Sequence, residues 1–268
     1  MTTLERKVRT ARRHLQQGGV QAVTSLTIDV TRRWLRRWHR FAEIDNCRFS
    51  LAGLPDSMIE LLLSGKYELA ERTLLKRSLD CNLPVVELGG CIGVLACIIN
   101  RRLANPARHI VVEANPNLGP ILVANRRRNG CNFTIVPKAI AYGTTSVSFS
   151  ADEEFLVNRV LENAGSVTVE ATNLGTILKE NAITHCTLIC DIEGTEYSLV
   201  AHEADVLASC VRHLVFEAHP KILGIAKVDE ILVRLQAAGF VLVDRTGDSY
   251  ALVNSSLQIN RTDINIAV

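Results

Sequence analysis

The sequence predicts a doubly wound α/β fold, in which helices cover both faces of a mostly parallel sheet, preceded by a helical N-terminal extension. A buried apolar strand that begins at Val85 runs directly into a glycine-rich turn and an apolar helix from Ile92 to Arg102. Short apolar strands then alternate with helical segments, which is typical of a parallel sheet. Several of these strands end in acidic residues, and ligands bind at the carboxyl ends of the strands in such folds.

Composition and charge divide the chain into a basic extension over residues 1–80 and one α/β domain over residues 81–268. The 268 residues are 47% hydrophobic, which is enough for a single sizeable core. Residues 1–40 contain ten Lys and Arg and two acids, a net charge of +8, which leaves −6 for the rest of a chain of net charge +2. We expect the extension to be helical and to cap the ligand side of the sheet.

The densest basic segment, residues 31–41, has Trp34, Trp38 and Phe41 at spacings of four and three. These spacings predict one aromatic face on a helix. Such a face packs on the main domain or on a second subunit in a homo-oligomer, or it lies on an anionic membrane surface. Nucleic-acid binding would rest on the charge alone, so we do not expect a nucleic-acid partner.

The cysteines and the lack of long apolar runs predict a cytoplasmic protein, with peripheral membrane contact only through the basic extension. The eight cysteines include no Cys-x-x-Cys pair, which favours a reducing compartment. No uninterrupted apolar run approaches the roughly 20 residues that a membrane span needs.

The glycine-rich turn after the first buried strand is the strongest candidate ligand site. Glu87 lies near the end of the strand, and Gly89 and Gly93 allow a ligand to approach bare backbone. The glycines at 89, 90 and 93 do not match the Gly-x-Gly-x-x-Gly pattern of dinucleotide sites. Glu113 ends the next strand, where a carboxylate can accept both hydroxyls of a ribose. This combination suits S-adenosylmethionine, which has a ribose but no phosphate.

The remaining elements are predicted from apolar periodicity and turn residues. A helical segment at 54–79 covers the sheet, and its Tyr67, Glu68 and Glu71 could reach over the polar tail of a cofactor or form a solvated face with a buried tyrosine. The other predicted elements are a helix at 116–129, a strand at 134–139, an edge pair at 146–149 and 166–170 around a polar stretch at 151–165, a helix at 174–181, and strands at 187–190, 213–217, 239–243 and 250–253.

Acidic residues also follow the fourth and fifth strands. Asp191 comes directly after an apolar run, and Glu193 and Glu196 follow it. Burial of a charged side chain inside a strand is energetically unfavourable, so these acids are expected at the carboxyl end of the strand. Glu196 can alternatively cap the next helix. Glu217 and His219 end the fifth strand on one face. Because the carboxyl ends of adjacent parallel strands meet, these groups are expected beside the glycine turn.

These motifs resemble the FkbM family of S-adenosylmethionine-dependent O-methyltransferases over residues 67–253. The matching positions are the acid and glycines of the first turn (Glu87, Gly89, Gly93), the acid-Ala-Asn-Pro segment (Glu113 to Pro116), the Asp-x-Glu-Gly-x-Glu signature (Asp191, Glu193, Gly194, Glu196) and the Glu-x-His pair (Glu217, His219). The chain departs from the family at Cys190, where lysine is common, and at Gly89-Gly90-Cys91, where Gly-Ala-Asn is common.

The resemblance implies a class I, Rossmann-like methyltransferase domain with seven strands, parallel except for a final reversed strand. It implies S-adenosylmethionine as cofactor and a hydroxyl of a sugar, glycan or glycosylated metabolite as acceptor. A nucleic-acid acceptor, or a scaffold that binds cofactor without catalysis, are the alternatives. The residues assigned to cofactor binding are Glu87, Gly89, Gly93, Glu113, Asn115, Asp191 and Tyr67.

For catalysis, His219 is the expected general base, because the unperturbed pKa of histidine lies near neutrality. Asp191 is expected near the sulfonium, and Glu217 is expected to orient the acceptor. A divalent metal held by Asp191 and Glu217 is the alternative means of acidifying the acceptor hydroxyl.

Overall fold

The computed structural model describes residues 39–149 and 167–257. The strands are β1 (Phe41–Ile44), β2 (Cys47–Ser50), β3 (Val85–Leu88), β4 (His109–Val112), β5 (Thr134–Val136), β6 (Ala139–Ile140), β7 (Ser146–Phe149), β8 (Val167–Thr172), β9 (Cys186–Cys190), β10 (Val211–Glu217), β11 (Phe240–Thr246) and β12 (Ser249–Asn254). The helices are α1 (Asp56–Leu63), α2 (Leu69–Ser78), α3 (Val94–Asn100), α4 (Gly119–Arg128), α5 (Leu174–Glu180), α6 (Glu196–His202), α7 (Ala204–Cys210), α8 (Pro220–Leu223) and α9 (Ile225–Ala237), with a 3₁₀ turn at Pro106–Arg108.

The main sheet has the strand order β11-β12-β10-β9-β3-β4-β5. β12 pairs antiparallel with β10 and β11, and the other neighbouring strands pair in parallel. This confirms the seven-stranded sheet with a reversed final strand and the class I, Rossmann-like fold. The chain order reverses between β3 and β9, so a ligand crevice opens at the carboxyl ends of these two strands.

Alternating side chains of the central strands fill one core on each face of the sheet. Val86 and Leu188 pack in a cluster with residues of α5, α6 and α9, whereas Val85 and Ile189 pack in a second cluster with residues of α2 and α3. Because the side chains on both faces of these strands are buried in a core, the strands are apolar at nearly every position. Helix α2 is therefore part of the same core as the sheet.

A small second sheet has the order β6-β8-β7. β7 and β8 pair antiparallel, which confirms the predicted edge pair, and β6 joins β8 in parallel. The predicted strand at 134–139 is two strands, because β5 ends at Val136 and β6 begins at Ala139. The polar stretch at 151–165 lies outside the described residues.

The prediction of an entirely helical extension is wrong over residues 41–50. Phe41 belongs to strand β1 and not to an aromatic helix, and β1 and β2 form a two-stranded sheet. Asp45 and Asn46 between them have positive φ of 47° and 63°, the conformation of a tight hairpin turn, which these two residue types tolerate. Trp34 and Trp38 lie outside the described residues.

The chain divides into two compact units, residues 1–42 with 50–54 and residues 43–49 with 55–268. The second unit contains α1, α2 and the whole main sheet. A domain boundary at residue 80 stays a prediction. Within the described part of the chain, no helix has the length and apolar character needed to cross a membrane.

Gly93 offers a test of how the glycine-rich turn is packed. Its φ is +81°, and a Cβ at this position would lie 2.5 Å from Leu122 Cδ1. Gly93→Ala should therefore destabilise the fold by about 2–4 kcal/mol, the sum of a left-handed alanine and an overpacked contact. The matched control is Gly130→Ala, with φ of +63° and no atom within 4 Å of the added Cβ, which should cost only about 1–2 kcal/mol. Urea unfolding measures both, and equal losses would contradict the packing argument.

Candidate active site

A cleft of about 640 Å³ opens at the carboxyl ends of β3, β4, β9 and β10. This volume lies within the range of small-molecule sites. The loop before α2 and the turn between β11 and β12 complete its walls. The polar residues that line it include Tyr67, Glu68, Glu71, Cys91, Glu113, Asn115, Lys138, Asp191, Glu193, Glu217, Asp248 and Ser249.

Glu113 connects the glycine-rich turn to the loop after β4. Its Oε2 accepts a hydrogen bond from the Cys91 amide at 2.7 Å, and its Oε1 accepts one from the Asn115 amide at 2.6 Å. Asn115 in turn accepts from the Asn117 amide at 2.9 Å. Burial raises the pKa of Glu113 to about 7, despite these backbone hydrogen bonds. The carboxylate is thus fixed at the edge of the cleft, with lone pairs remaining for a ligand.

The two predicted cofactor glycines have different roles in the structure. Gly89 lines the cleft, and a Cβ there would lie 1.7 Å from the carbonyl oxygen of Asp191. Gly93 does not line the cleft, because it packs against Leu122. Both glycines are therefore needed for close packing of the protein itself, and the predicted approach of a ligand to bare backbone applies only to Gly89.

The predicted contact between Glu87 and the cofactor finds no support in the structure. Glu87 is only 2% exposed and does not line the cleft. Its Oε2 lies 3.4 Å from Nε2 of the fully buried His109. Burial raises the pKa of Glu87 to about 8 and lowers the pKa of His109 to about 3. The two groups therefore form a neutral pair inside the sheet layer at neutral pH.

Tyr67 and Glu68 bring the loop before α2 onto the glycine-rich turn. The hydroxyl of Tyr67 donates to Cys91 Sγ at 3.2 Å, and Glu68 Oε2 accepts from the Leu95 amide at 3.0 Å. In dinucleotide-binding folds the amides at this helix start bind the pyrophosphate. Here a side-chain carboxyl of the protein already occupies that position, which agrees with a cofactor that has no phosphate.

His219 lies at the centre of three acids. Its Nδ1 is 3.0 Å from Glu196 Oε1, and its Nε2 is 3.4 Å from both Asp191 Oδ1 and Glu193 Oε2. Glu196 is 1% exposed and also accepts from the Ile192 amide at 3.1 Å. Burial alone would lower the pKa of His219, but the hydrogen bond to Glu196 and the three acidic charges raise it to about 9.

These contacts change the expected role of His219. The raised pKa favours the imidazolium form at neutral pH, in which the ring cannot accept a proton, and His219 does not line the cleft. The assignment of His219 as general base stays a prediction, one that its raised pKa does not favour. Glu217 does line the cleft, and burial and the charge of Glu71 raise its pKa to about 7. Of the two, Glu217 is better placed to accept a proton from a bound hydroxyl.

The predicted metal pair, Asp191 and Glu217, is not the group that the structure brings together. Among the described residues, the side chains close enough to share an ion are Asp191, Glu196 and His219, whose ligand atoms lie within 4.8 Å of one another. In this group the Nδ1 of His219 already bonds to Glu196. The imidazole of His219 therefore lies between these acids, and a metal ion at Asp191 and Glu217 stays a prediction.

Sequence reasoning missed that the turn between β11 and β12 contributes to the wall of the cleft. Ser249 lines the cleft, and its hydroxyl donates to the buried carboxylate of Glu71 on α2. Ser249 is also the strand partner of Glu217 in the β10 and β12 pairing. The available signal was Gly247, which marks a turn next to the carboxyl end of the fifth parallel strand.

The chain is similar to several solved structures of methyltransferases at low identity. The chain is similar to the fibrillarin of Aeropyrum pernix with natively bound S-adenosyl-L-methionine, with 12% identity over 69% of this chain and 74% of that one and a TM-score of 0.42. It is similar to the magnesium protoporphyrin IX methyltransferase of Synechocystis PCC 6803 with bound cofactor, with 13% identity over 76% and 86% and a TM-score of 0.45. These likenesses are too distant to indicate an acceptor.

No curated protein matches the chain in sequence. The sequence profile of the methyltransferase FkbM domain matches residues 87–242, which is more than half of the chain. This span runs from the strand before the glycine-rich turn to the strand after α9, and it includes Glu113, Asp191, Glu217 and His219. The chain therefore belongs to the FkbM family of methyltransferases and is an S-adenosylmethionine-dependent methyltransferase.

Proposed function

We propose that the chain transfers the methyl group of S-adenosylmethionine to a hydroxyl of a sugar, a glycan or a glycosylated metabolite. The observation that carries the proposal is Glu217, a cleft carboxylate at the end of β10 whose pKa is raised to about 7 by burial and the nearby Glu71. A carboxylate in this range accepts a proton from a hydroxyl efficiently at neutral pH.

The charge of the cleft supports a neutral or cationic acceptor over a polyanion. Within the part of the chain that the structure describes, seven acids and two lysines line the cleft. One of these lysines, Lys138, pairs with Glu170 at 2.8 Å. Phosphate groups would find few cations to bind here, because proteins bind nucleic acid backbones through clusters of Lys and Arg. The sulfonium and ammonium groups of the cofactor, in contrast, complement the acidic wall.

The transfer is an in-line displacement in which the acceptor oxygen forms a bond to the methyl carbon as the bond to sulfur breaks. The sulfonium becomes the neutral thioether of S-adenosylhomocysteine, and the hydroxyl proton passes to Glu217. The protein mainly aligns the oxygen with the methyl group and excludes water. His219 is a positioning residue in this scheme, because its imidazolium holds Asp191 and Glu193 at the cleft wall from behind.

This scheme does not need a metal ion at Asp191 and Glu217. Self-association and membrane contact through the basic extension stay predictions. The alternative of a scaffold without catalysis rests only on Cys190, which stands where the family commonly has lysine.

An acceptor screen tests the proposal directly. The full-length protein with methyl-labelled cofactor should label neutral or amine-bearing sugars and glycosylated metabolites, because the cleft offers few cations to bind a polyanion. RNA and nucleotide sugars are the matched anionic panel, and mass spectrometry locates the added methyl group. Labelling of the anionic panel alone would contradict the proposal, and cofactor binding without labelling of any compound would favour the scaffold.

Substitutions at the strand mouth test the assignment of the base. Glu217→Gln should lower kcat by about 10²- to 10⁴-fold, the usual contribution of a general base, with little change in S-adenosylhomocysteine affinity. His219→Gln should lower kcat less, because the glutamine amide can still donate to an acid. The result that would overturn the assignment is near-normal turnover in Glu217→Gln together with the larger loss in His219→Gln, and a chelator control reports any metal dependence.

Glu113 predicts a pH dependence of cofactor binding. Its pKa is raised to about 7 by burial, and the ionised carboxylate accepts hydrogen bonds from the ribose hydroxyls. Affinity for S-adenosylhomocysteine should therefore fall as the pH decreases through 7 and the carboxyl group is protonated. Glu113→Gln should bind about 10- to 150-fold more weakly at pH 8, equivalent to about 1.5–3 kcal/mol for a hydrogen bond to a charged group.

Calorimetric titration between pH 5.5 and 8.5 measures both effects of Glu113. The glutamine variant serves as its own control, because its affinity should lack the acidic decline of the parent protein. A decline of equal size in both proteins would assign the pH dependence to another group.

A further inference from the structure

Residues 64–68 form the loop before α2 and build one wall of the cofactor cleft. This wall meets the glycine-rich turn through two hydrogen bonds, from the Tyr67 hydroxyl to Cys91 Sγ at 3.2 Å and from the Leu95 amide to Glu68 Oε2 at 3.0 Å. Glu68 itself has a φ of 48°, which is uncommon for a residue with a side chain. Such a conformation persists only where the surrounding structure holds it.

Arg72, on the first turn of α2, provides much of the stabilisation of this loop conformation. It is 4% exposed and does not line the cleft. Its Nε donates to the Tyr67 carbonyl at 3.0 Å, and one terminal nitrogen donates to the Gly65 carbonyl. A single planar guanidinium therefore holds two backbone carbonyls of the loop in a fixed geometry.

Asp45, in the turn of the β1 and β2 hairpin, compensates the charge of Arg72. Its Oδ2 accepts from the other terminal nitrogen of Arg72 at 2.9 Å, and its Oδ1 accepts from Lys76 at 2.7 Å. Burial raises the pKa of Asp45, but the hydrogen bonds from Lys76 and Arg72 lower it more, so the net pKa lies below its usual range. The aspartate is ionised at neutral pH and orients the buried guanidinium.

We propose that Arg72, oriented by Asp45, is a positioning residue for the cofactor, so that S-adenosylmethionine affinity depends on a hairpin turn outside the cleft. Asp45 fixes Arg72, Arg72 fixes the carbonyls of Gly65 and Tyr67, and the loop then presents Tyr67 and Glu68 to the glycine-rich turn. The proposal concerns cofactor binding and is independent of the acceptor.

Asp45→Asn in the full chain tests the proposal with S-adenosylhomocysteine as the probe. The substitution conserves size and keeps one acceptor oxygen but removes the charge that orients Arg72. We expect the affinity for S-adenosylhomocysteine to fall by about tenfold. The reason is that Arg72 loses a charge-assisted hydrogen bond and then holds the loop less firmly. Lys76→Met is the matched control. Lys76 pairs with the same aspartate, but its side chain is 53% exposed and does not touch the loop. The affinity of this variant for S-adenosylhomocysteine should stay within about twofold of the parent value.

Two further measurements separate positioning from general destabilisation. Hydrogen exchange of the Leu95 amide should accelerate in Asp45→Asn, because Glu68 protects it, while exchange of the Ile99 amide in the same helix should not change. In a background of Tyr67→Phe with Glu68→Gln, Asp45→Asn should have no further effect on affinity, because it acts through those two side chains. Unchanged affinity in folded Asp45→Asn, or an undiminished effect in the double background, would overturn the proposal.

Discussion

The close approach of two strand ends at Gly89 is the constraint on which the site depends. The Gly89 amide bonds to the Val112 carbonyl, and the Asp191 amide bonds to the Leu88 carbonyl, both at 2.9 Å. A Cβ at position 89 would lie 1.7 Å from the Asp191 carbonyl oxygen, a separation that no side chain can occupy. Because only glycine permits this contact, β3, β4 and β9 converge, and Glu113 and Asp191, which follow β4 and β9, face one cleft.

Convergence of so many acids is electrostatically unfavourable, and the fold offsets it in two ways. Burial keeps the pKa values of Glu113 and Glu217 near 7, so that part of the negative charge is neutralised by protons at neutral pH. The imidazolium of His219 compensates the acids behind the wall. Under the proposed function, the sulfonium and ammonium groups of S-adenosylmethionine would complement the remaining negative charge.

The sequence predicted the sheet and the acids at the carboxyl ends of its strands well, because an apolar run followed by an acid has few alternative placements in this fold. It failed where side-chain direction or neighbours decide. Glu87 precedes the last residue of its strand, so alternation turns it toward His109 and away from the cleft. The pKa of His219 depends on acidic residues that follow a different strand, so the sequence around the histidine does not reveal the shift. The hairpin at 41–50 was missed because a helical reading of the aromatic spacing took precedence over the Asp45-Asn46 turn.

The two departures from the family pattern have different consequences. Cys91 contributes its amide to Glu113 and its sulfur to Tyr67, so the thiol substitutes for a polar side chain within the cofactor wall. Cys190 faces the apolar core at 1% exposure and does not line the cleft, and burial, with a smaller contribution from the nearby Glu196, raises the pKa of its thiol. A lysine at position 190 would bring a positive charge to this neighbourhood. With a thiol there, the buried Glu196 instead has the imidazole of His219 as its partner, 3.0 Å away.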